Sequence, residues 1–257
     1  MSEKITTFDS IIHNKDEILK SMDDDEFYYG YLGKQALSSS SLKWILKSPN
    51  VYADRMVNEQ KESQPLRDGK LIHWRVLEPE KFEALNVVQV SSRTTNVYKA
   101  ALEEMGEVYL QKEVDNAINI SDALMKNDIA REMLEDAEFE VPAIRMIDGI
   151  PFRGKADVLK GKTIIDVKTT ADISGFRWSA QKFGYDLQAY LYLQLFPQAH
   201  SFTFLVIDKN TLDVGVFECS PQFLDDGRRK LEKGIADYKY FFQEDNPIEQ
   251  FVIREML

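Results

Sequence analysis

Cysteine is almost absent from this sequence. The 257 residues contain one, Cys219, and only three histidines. A single thiol excludes an internal disulfide and a four-cysteine zinc or iron–sulfur site within these residues. No apolar stretch approaches the roughly 20 residues that cross a membrane, and the opening residues, MSEKITTFDS, lack an apolar signal core. We therefore expect a cytoplasmic protein without a membrane segment.

Positive charge is also in deficit, with 32 lysines and arginines against 43 acidic residues and a formal net charge of −11. This balance argues against a surface coated with nucleic-acid-binding charge, although a local basic groove is compatible with it. No repeat or low-complexity tract is visible. The chain is long enough to bury the core of one large domain.

The pattern of the sequence changes from helices to strands along the chain. Residues 1–36 are predicted to be an N-terminal appendage, and residues 37–257 one domain. Helices are predicted at about 38–48, ended by Pro49, and at 52–61, 66–77, 176–182, 185–196 and 221–242. Strands are predicted at 137–147, 151–160, 162–170, 201–208 and 212–219. This order predicts an α/β fold with a small mixed sheet flanked by helices and an N-terminal helical part.

Two charged residues stand in the middle of an otherwise apolar strand, KTIIDVKTT. Alternation places Ile164, Asp166 and Lys168 on one face. A tight turn around Lys160–Gly161 would set Asp157 opposite Ile164 and diagonal to Asp166, with backbones about 7–8 Å apart. Two facing carboxylates repel unless a divalent cation lies between them, and hard oxygen ligands suit Mg²⁺ or Mn²⁺. A D-x-K triplet alone is more often a solvated ion pair.

Two further segments carry candidate site residues. In GYDLQAYLYLQLF, Tyr185, Gln188 and Tyr192 share one helical face, which is either simply solvated or able to contact phosphates and bases. In GKLIHWRVLEP, Gly69 and His73 lie four apart on a predicted helix. A lone histidine is more often structural or exposed than a ligand, so neither segment decides the function alone.

Together these segments resemble the PD-(D/E)XK nuclease superfamily, in its RecB-like branch. The chain is most similar there to the C-terminal nuclease domain of RecE-type exonucleases (the exonuclease VIII type). The matching pieces, in the family's order, are LSSSSLKWILKSPNVY, the G-xxx-H pair, GKAD, DVK and the Q-xxx-Y pair, over about residues 28–200. The resemblance implies that residues 37–257 are a PD-(D/E)XK exonuclease domain.

The resemblance also implies a catalytic set with Mg²⁺ or Mn²⁺ as cofactor. Its metal ligands would be His73, Asp157, Asp166 and the carbonyl of Val167, with Glu140 as an acid on the preceding strand. Lys168 would position the attacking water or stabilise the phosphate, and a role as general base stays open.

The predicted DNA-binding residues follow from the shared helical face and from the family resemblance. Gln188 and Tyr192 would line the DNA path, and Tyr185 lies on the same face. The cations near the proposed site, expected to face the DNA, are Arg153, Lys155, Arg177 and Lys182.

The implied function is a metal-dependent exonuclease that degrades one strand of linear duplex DNA from its ends, 5′ to 3′, and leaves single strands for recombination. A RecT-like annealing protein is the implied partner, and a ring-shaped homo-oligomer the expected assembly. The alternatives are an endonuclease or repair nuclease of the same fold, and a non-catalytic DNA- or protein-binding module. The sequence does not fix the polarity or the number of metal ions.

Overall fold

The computed structural model describes residues 3–58 and 62–253 of the chain. The strands in this part are β1 (Lys4–Thr6), β2 (Ile12–Asn14), β3 (Val87–Val88), β4 (Tyr109–Leu110), β5 (Glu138–Ile147), β6 (Ile150–Lys160), β7 (Thr163–Thr170), β8 (Ser201–Asp208) and β9 (Val214–Glu218).

Helices surround these strands. In chain order they are α1 (Lys15–Ser21), α2 (Leu32–Gln35), α3 (Ser39–Lys47), α4 (Pro49–Val57), α5 (Gln64–Leu77), α6 (Pro79–Glu83), α7 (Asn96–Met105), α8 (Gln111–Lys126), α9 (Asp128–Leu134), α10 (Phe176–Lys182), α11 (Tyr185–Leu195) and α12 (Pro221–Tyr238). Two short π-helical segments, Glu26–Tyr31 and Lys239–Gln243, and a 3₁₀ turn at Ile248–Gln250 complete the described elements. None of the helices in residues 3–58 and 62–253 combines the length and the apolar character needed to span a membrane.

Five strands form one mixed sheet in the order β5-β6-β7-β8-β9. Neighbours are antiparallel except β7 and β8, which run parallel. A parallel pair cannot be joined by a tight turn, and here α10 and α11 form the crossover between the two strands. The predicted α/β class, with a small mixed sheet between helices, is confirmed.

The sheet is buried on both faces, and the alternation along β7 shows how. Ile164 packs towards α3, α11 and α12, whereas Ile165 and Val167 pack towards α5 and α8. The neighbouring strand β8 alternates in the same way, with Phe204 on the first face and Leu205 on the second. Burial of each such side chain contributes about 1.5–3 kcal/mol, so the two apolar faces hold the helices in place.

Local chemistry explains how the helices next to the site begin and how closely they pack. The hydroxyl of Ser38 caps α3 by accepting from the Ser41 backbone N–H. Gly154 on β6 permits α11 to lie close, because a Cβ there would come within 2.8 Å of Leu195. Helix α11 is therefore fixed against the strand that carries Asp157.

The segment before α3 packs on the outer strand of the sheet. Ile5, Ile18 and Leu32 are fully or almost fully buried and cluster with Ile144 of β5. The acidic run at 23–26 also contacts the rest of the chain, because a carboxylate oxygen of Asp25 is 2.6 Å from the ammonium of Lys81. The division of the chain at residue 36 remains a prediction.

Three predicted boundaries differ from the structure. Pro49 starts the next helix, α4, at a position where a missing N–H costs nothing. That helix, predicted to reach residue 61, ends at Val57, and residues 59–61 lie outside the described part. The β6–β7 turn lies at residues 161–162, because Lys160 pairs with Thr163 and Gly161 supplies a φ of +59°.

Candidate active site and metal centre

The site begins where β6 and β7 stop pairing. Their ladder ends at the pair Val158 and Ile165. The predicted register, with Asp157 opposite Ile164, is wrong by two residues, because Ile164 pairs with Leu159. The prediction that Asp157 and Asp166 lie on neighbouring strands at the site is unaffected. Beyond the ladder, the Val167 N–H donates to Oδ2 of Asp157 at 2.9 Å. A side-chain carboxylate thus replaces a backbone acceptor and is fixed there.

Glu140 lies at a break in the other ladder of β6. Phe139 and Val141 pair with β6 on either side, while Glu140 has a φ of +51° and is left out of the pairing. A left-handed conformation at a non-glycine residue costs about 1–3 kcal/mol. The conformation brings the carboxylate to 3.2 Å from Nε2 of His73.

His73 reaches the same point from α5, on the opposite side of the site. Its Nε2 is 3.4 Å from Oδ1 of Asp157, and its Nδ1 is 3.7 Å from Oε2 of Glu78. One ligand atom each from His73, Glu140 and Asp157 lie within 4.8 Å of one another. Nitrogen and carboxylate oxygen donors at this spacing fit a divalent cation.

The charges of this cluster balance one another. Burial lowers the pKa of His73, but Asp157 and Glu140 outweigh it and raise the value to about 10. Burial raises the pKa of Asp157, yet the imidazolium and Lys168 hold it below its ordinary value. Burial raises the pKa of Glu140 despite the neighbouring imidazole. The proton on His73 therefore acts as a cation would, since it offsets part of the negative charge of two partly buried carboxylates.

Asp166 and Lys168 form the second part of the site. Asp166 is 1 % exposed, and its Oδ2 forms an ion pair with Nζ of Lys168 at 2.5 Å. Burial, reinforced by Asp157, raises the pKa of Asp166 to about 6. Burial lowers the pKa of Lys168, but Asp166 and Asp157 outweigh it and raise that pKa. Lys168 is therefore a fixed ammonium, which favours charge stabilisation over the general-base alternative.

The three residues predicted on one face of α11 divide into two kinds. Gln188 is buried and donates its amide to Oδ1 of Asp166 at 2.6 Å. Tyr192 donates its hydroxyl to the Lys155 carbonyl at 3.1 Å. Tyr185 is different, because the Lys168 ammonium lies 5.3 Å from its ring centroid. Two of the three residues predicted to contact DNA thus make hydrogen bonds within the protein in this structure.

The predicted channel cations also divide. The Nε of Arg153 donates to the Leu32 carbonyl, and its guanidinium lies 4.3 Å from the Tyr28 ring centroid. Lys155 is buried beside it, 3.7 Å from a carboxylate oxygen of Asp25. Both therefore lie beneath the N-terminal segment.

Arg177 and Lys182, by contrast, are exposed on α10 and reach the solvent. The guanidinium of Arg177 lies 4.3 Å from the ring centroid of Trp178, and the ammonium of Lys182 lies 5.8 Å from that of Phe183. These two cations remain candidates for DNA contact.

Two residues of the site were missed from the sequence. Glu78, at the end of α5, lies beside His73 and pairs with Lys81 at 2.7 Å. Lys43 on α3 lies 5.3 Å from the centroid of the Tyr185 ring. Both occupy ordinary positions in amphipathic or helix-end segments, where a charged residue predicts only exposure to solvent.

The fold and the side-chain set together define a PD-(D/E)XK-type domain. The family model for the "PDDEXK-like domain of unknown function (DUF3799)" matches residues 38–249, and the chain belongs to this family. The resemblance to the RecE-type, RecB-like branch seen in the sequence is thereby confirmed as far as the superfamily. No curated protein matches the sequence.

Solved structures share the fold. A candidate exonuclease from Eubacterium rectale is 15 % identical, with a TM-score of 0.70 over 91 % of this chain and 95 % of its own. An alkaline exonuclease from Laribacter hongkongensis is 12 % identical, with a TM-score of 0.38 over 86 % of this chain and 98 % of its own. A phage-related exonuclease from Haemophilus somnus 129PT is 15 % identical, with a TM-score of 0.35 over 82 % of this chain and 96 % of its own. Only the first is similar enough to support the fold.

Proposed function

We propose that the protein is a Mg²⁺- or Mn²⁺-dependent exodeoxyribonuclease that degrades one strand of linear duplex DNA from its ends, 5′ to 3′. The observation that carries the proposal is the convergence of His73, Glu140 and Asp157 beside the Asp166–Lys168 pair. Phosphodiester hydrolysis needs a site for a cation and a fixed positive charge for the phosphate, and these residues offer both. The Eubacterium rectale protein of the same fold is itself described as a candidate exonuclease, which supports the exonuclease class.

The roles of the residues follow from their contacts. His73, Glu140 and Asp157 would hold the cation, and Asp166 remains the predicted further ligand. When bound, a divalent cation lowers the pKa of a coordinated water and screens the charge of the phosphate. Asp166 holds the ammonium of Lys168 at the cluster. There the ammonium would donate hydrogen bonds to a phosphate oxygen or to the attacking water. Gln188 orients Asp166 for this purpose.

Digestion of end-labelled linear duplex beside a closed circle, with Mg²⁺ and with excess EDTA, tests the proposal. We expect degradation of the linear DNA only when Mg²⁺ is present, and an intact circle. Cleavage of the circle would indicate an endonuclease of the same fold, and absence of any cleavage a binding module. Duplexes labelled at the 5′ or the 3′ end decide the polarity.

We also propose that the working form is a ring that encloses DNA and supplies single strands to a RecT-like annealing protein. A chain with a net charge of −11 must hold a polyanion through repeated cleavage. Several subunits around one axis would concentrate local cations and prevent escape. Light scattering during size exclusion should give a multiple of the 29.7 kDa chain, and a monomer that degrades DNA distributively would contradict the ring.

A further inference from the structure

Lys43 differs from the other lysines of the described chain in that its charge is partly buried without a partner. Within residues 3–58 and 62–253 its ammonium makes a ring contact but no hydrogen bond or ion pair. Each other lysine that is buried or partly buried there is held by a carboxylate or a backbone carbonyl, as Lys168 is by Asp166 and Lys230 by Asp186. The ammonium of Lys43 therefore lacks the polar partner that each other buried or partly buried lysine of the described residues has.

The position of Lys43 is fixed although its charge is unpaired. Its aliphatic stem lies along the backbone of Gly184, where an added Cβ would be 3.4 Å from Cε of Lys43. Its ammonium lies 5.3 Å from the centroid of the Tyr185 ring. The ammonium of Lys168 is also 5.3 Å from that centroid, so one aromatic ring contacts both cations. Lys43 thus lies next to the proposed catalytic lysine.

This arrangement costs the folded protein free energy. Burial lowers the pKa of Lys43 to about 8, and the like charges of Lys168 and Lys230 act in the same direction. Asp166 and Asp186 oppose the shift without forming an ion pair with Lys43. A partly buried, uncompensated charge is unfavourable, so retaining it is explained if an anionic ligand completes the site.

We propose that Lys43 binds a backbone phosphate of the DNA strand being cleaved, adjacent to the phosphate that lies at Lys168. The inference rests on the proposed function and adds a second phosphate subsite to it. A phosphodiester presents two free oxygens and one negative charge, which a lysine binds as a point charge with hydrogen bonds. The subsite adjoins the Tyr185 ring that Lys168 also contacts, so the two lysines would bind neighbouring phosphates of one strand.

The salt dependence of DNA binding tests this subsite. Each phosphate neutralised by a cation contributes about 0.9 to the slope of log K against log salt for duplex DNA, and about 0.7 for a single strand. Binding of a fluorescent linear duplex is measured in EDTA between about 50 and 200 mM salt. Lys43→Met, which keeps the apolar stem, should lose that amount of slope and bind about tenfold more weakly at the lowest salt. Lys43→Arg should keep the wild-type slope.

Lys47 provides the matched control, since it is an exposed lysine one turn further along α3. Lys47→Met should leave the slope and the affinity unchanged. Lys43→Gln serves as a second neutral variant, and circular dichroism confirms that each variant is folded. If wild type and both neutral variants at position 43 share one slope while the wild type cleaves DNA, the subsite is wrong and the proposed nuclease stands. If the wild type neither cleaves nor binds DNA, both fall.

Discussion

The two faces of the central sheet bring opposite chemistry to the same place. From one face, α5 sets His73 against Glu140 and Asp157, and the three groups compensate one another through one proton. From the other face, α3 and α11 bring Lys43 and Tyr185, and the ammonium of Lys43 forms no ion pair among the described residues. The first face is thus suited to exchange its proton for a cation, and the second to receive an anion. The carboxylates of the first face thus indicate a cation as ligand, and the unpaired ammonium of the second face indicates an anion.

The largest effect is expected from the acidic face. Asp157→Asn keeps the shape of the side chain but removes one carboxylate from the cluster, so nuclease activity should fall by at least about 100-fold. Calorimetric titration with Mn²⁺ should show a matching loss of metal affinity. Glu138→Gln, an exposed acid on the neighbouring strand β5, is the control and should retain both. Wild-type activity in Asp157→Asn would contradict the metal site.

The second effect concerns the ion pair between Asp166 and Lys168, which lie two residues apart on strand β7. Asp166→Ala would leave the partly buried Lys168 ammonium without its ion-pair partner. Because Asp157 still attracts that ammonium, we expect the free energy of unfolding to fall by about 3 kcal/mol, the low end for a broken buried pair. The double variant Asp166→Ala with Lys168→Met removes both charges and should recover most of that loss. Urea denaturation of the wild type and the three variants gives the coupling energy. If the losses of the two single variants simply add, the pair does not stabilise the fold.

The sequence predicted the parts of the site that follow from strand periodicity and motif order. Asp157, Asp166 and Lys168 lie on neighbouring strands because alternation along a strand is regular, and the structure brings His73 to them. The exact register could not be predicted, because it depended on which residue after Lys160 takes a positive φ. The sequence also could not show that Gln188 is used by Asp166, since a polar residue on a helix face looks the same whether its partner is DNA or the protein.

Burial explains the remaining differences between prediction and structure. Arg153 and Lys155 were expected near the DNA because of their position in the chain, but the N-terminal segment covers them. The position of Lys43 on the amphipathic helix α3 predicts only exposure to solvent. Burial of a charged side chain depends on contacts between residues far apart in sequence. A local sequence pattern does not indicate such contacts.

A third prediction separates backbone strain from the position of Lys43. Gly184 has a φ of +64° and touches the stem of Lys43, whereas Gly149 has a φ of +80° and has no atom within 4 Å of an added Cβ. Alanine at either position should lower the free energy of unfolding by about 1–2 kcal/mol, because both require a left-handed backbone. Only Gly184→Ala should also weaken DNA binding. Equal DNA affinity in the two variants would show that the contact with Lys43 does not matter for binding.

The smallest expected effect is a gain. In the folded protein the pKa of Lys43 is lowered to about 8, from an ordinary value of 10.5, so the unfolded chain holds this proton more tightly than the folded one. The charged Lys43 therefore lowers the free energy of unfolding by its full amount below about pH 8. This loss disappears as the pH rises towards the pKa of the lysine in the unfolded chain.

Lys43→Met should therefore stabilise the protein at pH 7 by about 1 kcal/mol, a figure reduced for the partial exposure of the side chain. The gain should shrink as the pH rises from 8 to 10, while the variant binds DNA more weakly at pH 7. Urea melts at a series of pH values, with Lys47→Met as the control, measure this directly. A variant that is less stable than the wild type at pH 7 would mean that Lys43 is already compensated within the protein, and the contrast between the two faces of the sheet would disappear.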